Sequence, residues 1–282
     1  MLERFFPPPL QLGLASRGLA LVSPAQGAKR QGACWEKSWL QAPGEAPDFE
    51  LLLTHLESVL NEASAAHGRP VKVVLSDAWA RLWVARPPGN ALRRQDCEAA
   101  AAARFEALYG EPLGDKFRLS ADWSARRPFV AAALETSQLQ SLQARLEAFG
   151  LEAESIQPHF VTAWNGWRRA VPDGAWFGTL HEDMLTFLML SDEAPMEVRR
   201  LKADASAQSD AGWLHQTLQR EALRLSASAP ACIALAGAVP AAWSAAQGPD
   251  WRCVALESLS KPFAQAAMQL VAPQAAAGGA AR

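Results

Sequence analysis

The run His181-Glu182-Asp183 places an imidazole beside two carboxylates, the groups that would bind a metal or move a proton. It falls at the tip of an expected hairpin, where adjacent side chains diverge and charged groups are solvated, so no acid–base or metal role is expected. The other histidines, His55, His67, His159 and His215, have no partners at metal-ligand spacing. Cys34, Cys97, Cys232 and Cys253 are widely separated and form no CxxC pair, so neither a zinc site nor a redox motif is signalled, and free thiols in a reducing cytoplasm are expected. Gly13-Leu14-Ala15-Ser16-Arg17-Gly18 lacks the GxSxG spacing of a nucleophile elbow, and no GxxxxGK[ST] phosphate loop occurs. The pairs Arg93-Arg94 and Arg126-Arg127 read as solvated element ends that could also meet an acidic partner.

The whole chain supplies a globular frame without a strong charge bias. Its 282 residues are 50% hydrophobic and 20% charged, enough for one large core or two modest ones, and a two-lobed architecture is expected. A net charge of -2 gives no general attraction to nucleic acid. The N-terminal FFPPP stretch is not a secretory signal, and no window approaches about 20 uninterrupted apolar residues, so no membrane span is expected. Most of the eleven tryptophans are expected to fill cores.

The elements follow from hydrophobic period. LQLGLASRGLALVSP reads as a hairpin about Ser16-Arg17-Gly18, with QGACWEKSW as a third strand. A helix follows with Leu52, Leu56, Val59, Leu60 and Ala63 on one face, then a strand over 71–75 and a second from Trp79 to Ala85. Helix 92–109, the hairpin FRLSADW/RPFVAAALE, a helix from Ser137 and the strand LEAESIQP complete the first half. The order then recurs: three strands across AWFGTLHEDMLTFLMLSDEAPMEVRRLK, a helix capped by Asp210, the strand ACIALAGAVP, a helix, the strand WRCVAL and a final helix about Phe263 to Val271. Residues 273–282 are expected to be disordered.

The stretch VVLSDAWARLWVARPP, AAAARFEALYG, FRLSADW and RPFVAAALETSQLQSLQARLEAFGLEAESIQPHFVTAWN resembles the PilM and GspL proteins of type IV pilus and type II secretion machines. Ala148-Phe149-Gly150-Leu151 and Ile156-Gln157-Pro158 occupy the places of the family's phrases, and the order of elements extends the likeness over roughly 13–270. The resemblance implies a mixed α/β, actin-like fold: two ribonuclease-H-like lobes, 1–158 and 159–272, with an inserted α+β subdomain at about 86–134.

Actin-like ATPases hold a nucleotide between their lobes with an acidic residue in each phosphate loop, because a carboxylate must position the metal or the attacking water. The matching positions here, Leu12 to Gly18 and Trp176 to His181, have no acid on the strand, and the adenosine-side loop keeps only Gly237. The implied cleft, with Gly13, Ser16, Gly178, Thr179 and Gly237 as its nucleotide-binding candidates, is therefore expected to be degenerate, with no catalytic residue, no metal site and no ATPase activity. Binding of ATP with magnesium is the alternative, and an unrelated α/β enzyme is a third reading. The resemblance further implies a cytoplasmic scaffold, peripheral at the inner membrane. Its partner would be the cytoplasmic tail of a single-span assembly protein, held in a groove beside the insert. Trp79, Arg81, Trp83, Phe105, Tyr109, Trp123 and Phe129 are the candidate anchors. Trp164 and Trp167 beside Arg168 and Arg169 are expected where the lobes meet, with Arg–indole stacking as a possible clamp.

Overall fold

A computed structural model describes residues 8–24, 33–40, 46–63, 68–191, 193–245, 248 and 250–256. The final helix and the C-terminal tail expected from the sequence lie outside the described residues. The described residues divide into two compact units, one within 1–80 and 134–162 and the other within 81–133 and 163–262.

The first unit is built on five strands, β1 (Leu10–Leu14), β2 (Gly18–Ser23), β3 (Ala33–Ser38), β4 (Pro70–Leu75) and β8 (Glu152–Pro158), in the order β3-β2-β1-β4-β8. β1, β2 and β3 pair antiparallel, whereas β4 runs parallel to both β1 and β8. Parallel neighbours require crossovers, and helix α1 (Phe49–Glu62) supplies the one before β4. Asp48 starts α1 by accepting the main-chain N–H groups of Glu50 and Leu51 at 2.9 and 3.2 Å. Its apolar face, Leu52, Leu56, Val59 and Leu60, meets Leu10, Leu12, Val71 and Val73 from the sheet in one buried core. Each such leucine contributes roughly 1.5–3 kcal/mol. Helix α3 (Thr136–Ala148) adds Leu142 and Leu146 to that core.

The second unit repeats the plan with β9 (Trp176–His181), β10 (Met184–Ser191), β11 (Ala194–Lys202), β12 (Cys232–Gly237) and β13 (Arg252–Ala255), ordered β11-β10-β9-β12-β13. The antiparallel and parallel pairings match those of the first sheet strand for strand. Between β11 and β12 come α5 (Ala205–Ser209) and α6 (Trp213–Arg224). The helix expected after Asp210 is α6, and the short α5 before it was not expected: Asp204 caps α5, while Asp210 forms the turn between the helices by accepting from Gly212 N at 2.8 Å. Leu214, Leu218 and Ala222 then face Leu185, Phe187, Ile233 and Leu235 in the core. Helix α7 (Ala241–Ala245) buries Trp243, whose indole N–H donates to Ala207 O at 3.0 Å.

The insert comprises β5 (Ala80–Ala85), α2 (Arg94–Tyr109), β6 (Phe117–Ala121) and β7 (Phe129–Glu135), with sheet order β5-β7-β6. Trp79, expected to open a strand, instead ends a 3-10 turn over Asp77–Trp79. The sequence reading grouped the insert with the first half. It packs with the second unit, where Arg104 of α2 pairs with the buried Glu197 of β11 at 3.0 Å.

Candidate functional site

The five positions expected to line a nucleotide cleft lie on or beside the strands of the two sheets. In the first unit Gly13 lies inside β1, opposite Ala20 of β2 and Val74 of β4. The turn after it closes through Ala15 N donating to Gly18 O at 2.8 Å, and Ser16 is buried there. In the second unit a Cβ at Gly178 would come within 2.8 Å of Leu235 Cδ2 and 3.2 Å of Phe187 Cβ, so close strand packing accounts for this glycine. Thr179 is fully buried and its hydroxyl has no hydrogen-bond partner among the described residues. Gly237 ends β12 at φ +99, a conformation glycine adopts without strain. None of these five positions carries a carboxylate.

The hairpin tip departs from expectation. His181 and Glu182 are only 4% and 10% exposed, with Nδ1 and Oε2 3.7 Å apart, and Glu182 takes φ 55 in the turn. The tip is therefore not simply solvated. Among the described residues no group of three or more His, Cys, Asp or Glu side chains could hold a metal ion. Cys97, Cys232 and Cys253 are buried. Burial, with Cys232 nearby, pushes the Cys253 thiol up to about 12, far from the depressed value a nucleophile needs.

Of the seven aromatic and arginine anchors expected on a partner surface, four belong to cores. Trp83 and Phe105 are fully buried and stack edge-on at 5.2 Å, and the Trp83 indole N–H donates to Ala101 O at 3.1 Å. Phe129 is buried in the same cluster, and Trp79 packs edge-on against Phe49 in the first unit. Truncating a buried Trp or Phe costs about 3–5 kcal/mol, so these four stabilise the fold. Arg81, Tyr109 and Trp123 retain surface. The Arg81 guanidinium lies 4.5 Å from the Phe117 ring centre and 5.0 Å from that of Tyr109, and it pairs with Glu111. Lys116 and Arg81 hold the Glu111 carboxyl below its ordinary range by hydrogen bonds and charge. The Tyr109 hydroxyl donates to Leu82 O at 3.1 Å, and burial raises its phenol. Trp123 lies 5.0 Å beneath the Arg94 guanidinium.

A cleft of about 860 Å³ opens within the second unit, and its chemistry comes from residues the sequence marked only as charged pairs or as a stacking clamp. One wall is the β6–β7 turn. Its shape is set by Asp122 N donating to Val130 O at 3.3 Å and by Ser124 Oγ accepting from Arg127 N at 3.0 Å. The second wall begins at the end of α4 (His159–Trp167), where Trp164 rests on Phe177 at 5.2 Å. It continues through a turn closed by Ala175 N donating to Pro172 O at 3.0 Å, with Gly174 at φ +71 and Asp173 exposed. Leu190 and the β10–β11 hairpin residues Glu193, Ala194 and Pro195 complete the lining. Arg168 pairs with Asp122 at 3.3 Å; among the described residues it makes no stack on Trp164.

One further residue lies between the two strands expected over 71–75 and from Trp79, where no role was expected. Asp77 is buried, and its Oδ1 accepts the Phe160 N–H at 2.9 Å in the first turn of α4. It thereby fixes the start of the helix that leads to Trp164.

The duplicated β3-β2-β1-β4-β8 topology and the insert after β4 can be set against solved structures. The chain aligns over 95% of its length with 96% of a chain of a PilM–PilN type IV pilus biogenesis complex, at a TM-score of 0.60 and 16% identity. A protein of Bacteroides thetaiotaomicron described as having an actin-like ATPase fold and unknown function matches at TM-score 0.51 and 9% identity, with 83% of each chain covered. This chain has the actin-like fold. The cytoplasmic domain of EpsL, an inner membrane component of the type II secretion system of Vibrio cholerae, shares it at TM-score 0.53 and 13% identity, covering 96% of this chain and 94% of that one. No protein-family model matches the sequence, and no curated protein does. Among the described residues no helix is long and apolar enough to cross a membrane.

Proposed function

We propose that this actin-like protein is a cytoplasmic scaffold of a type IV pilus or type II secretion assembly platform. It docks the cytoplasmic tail of a single-span inner-membrane protein and is peripheral to the membrane through that partner. The observation that carries this reading is the near full-length match to a chain solved in a complex named for pilus biogenesis. It is joined by the absence of a carboxylate on β1 and β9. An ATPase of this fold needs an acid to hold its metal or water. Here the strand glycine Gly178 serves side-chain packing, so the scaffold reading includes a degenerate nucleotide cleft and no hydrolysis.

The test uses the full chain and a fluorescently labelled synthetic peptide. Its sequence is the cytoplasmic tail of a single-span inner-membrane protein of the same organism's pilus or secretion machinery. The expected result is saturable binding by fluorescence anisotropy, unchanged by ATP and magnesium. No binding, or binding that requires nucleotide, overturns the proposal.

A further inference from the structure

We propose that the end of the insert where β5 leads into α2 and β6 turns into β7 rests on an anionic lipid surface. The inference goes beyond the scaffold reading, in which contact with the membrane runs through a protein partner, and takes from that reading only the nearness of a bilayer.

Contacts within the insert bring two segments distant in sequence to one end. Trp123 of the β6–β7 turn lies 5.0 Å beneath the Arg94 guanidinium, and Cys97 Sγ donates to Ser124 O at 3.5 Å. Segments 86–94, RPPGNALRR, and 124–128, SARRP, therefore meet there, and they hold five arginines and no acid in a chain whose net charge is -2. The acids beside them in sequence are engaged. Asp96 accepts from Leu92 N and Arg93 N, each at 2.9 Å, Glu98 pairs with Arg94 at 2.7 Å, and Asp122 pairs with Arg168 at 3.3 Å. Arg86, Arg93, Arg126 and Arg127 are exposed and form no ion pair among the described residues. Guanidinium groups match phosphate oxygens in a planar, bidentate way, and a cluster of them is drawn to the negative potential of an anionic leaflet.

An apolar residue stands among these charges. Leu92 is 89% exposed. A hydrophobic residue just before a helix cap often packs back onto the first turn, but here Asp96 holds the main chain of Leu92 and Arg93 while the leucine side chain stays in solvent. The loop that presents it is stiff: Pro87 and Pro88 fix φ, and Ala91 N donates to Pro88 O at 2.9 Å. Little ordering is then needed on binding. Trp123 is half-buried, and its ring suits the boundary between headgroups and hydrocarbon. An acidic protein face would satisfy the arginines, but it would need a pocket matched to Leu92. A bilayer accepts a protruding leucine at any point, just beneath the phosphates that the arginines contact.

The experiment mixes the full chain with sucrose-loaded vesicles of equal parts phosphatidylglycerol and phosphatidylcholine, or of phosphatidylcholine alone, and measures the fraction that sediments. Binding is expected to the anionic vesicles alone and should weaken as salt is added. Arg86→Glu with Arg126→Glu and Arg127→Glu should lower vesicle affinity at least about tenfold without moving Tm. Leu92→Ser should lower it by roughly threefold or more and keep the salt dependence, which preserves the test should the triple variant fold poorly. No sedimentation with anionic vesicles, equal binding to both vesicle types, or binding indifferent to both variants overturns the proposal. Capture by polyglutamate with none by vesicles also overturns it and makes the patch a protein contact. The labelled membrane-protein tail separates this failure from that of the proposed function: tail binding without vesicle binding leaves the scaffold reading standing without this surface. Vesicle binding that the triple variant abolishes, with no tail binding, does the reverse.

Discussion

Arg81 and Trp83 stand on the same side of β5, and the aromatic side chains of α2 cover both. Their residue types suggested a partner surface, and type was all the sequence offered, because burial depends on where α2 folds back. Phe105 makes the difference: it encloses Trp83 completely and leaves the Arg81 guanidinium at the rim, 5.6 Å from its ring. Magnitudes decide what holds the insert together. The Arg81–Glu111 pair stands at the solvent-facing rim, where water and salt screen it, whereas the Trp83–Phe105 contact lies in the core. Cys34 shows the same dependence on neighbours. It is exposed on β3, yet partial burial, then the charge of Glu36 and a hydrogen bond to its carboxylate, push the thiol up to about 11. A raised thiol value means the neutral form persists until the pH approaches 11. Alkylation by iodoacetamide at pH 8, followed at Cys34 by peptide mass spectrometry, should therefore be slower in the folded chain than in the urea-unfolded chain. Glu36→Gln should speed it. Equal rates in folded and unfolded protein would contradict the environment described.

At the scale of elements, period and capping chemistry carried the reading well and long-range hydrogen bonding did not. The alternation in LQLGL and GLALVS and the apolar face of α1 are local signals, and each produced its element where expected. Asp204 and Asp210 are six residues apart and both suit a cap. Only the packing of α7 on α5, with Trp243 bonded to Ala207 O, selects Asp204 as the cap of a separate short helix. Asp77 was illegible for a similar reason: its partner, Phe160 N, is 83 positions away. Replacing a side-chain cap by alanine costs about 0.5–2 kcal/mol. Asp77→Ala should accordingly lower the unfolding free energy obtained from urea titration by an amount in that range, while Asp77→Asn, which keeps an acceptor, should lose less. If alanine is tolerated without change, the Asp77–Phe160 bond does not hold α4.

Over the whole molecule, the two matching sheets were visible in sequence as a repeated order of strands without any repeated residues, since topology follows from period and connection length. The packing of the insert with the second unit was not visible. It rests on contacts such as Arg104–Glu197, 93 positions apart, for which no local pattern exists. One fold hosts many unrelated functions, and the site decides between them. Here the sequence shows no carboxylate on β1 or β9, and the structure shows a glycine fixed by packing at Gly178 and a buried Thr179. A ligand that binds only the folded state raises its stability by mass action. Thermal unfolding of the full chain, recorded in parallel with the synthetic membrane-protein tail and with ATP plus magnesium, is thus the most direct test of the docking scaffold. The account predicts that the tail raises Tm in a concentration-dependent way and that ATP with magnesium leaves it unchanged; stabilisation by the nucleotide and none by the tail would contradict it.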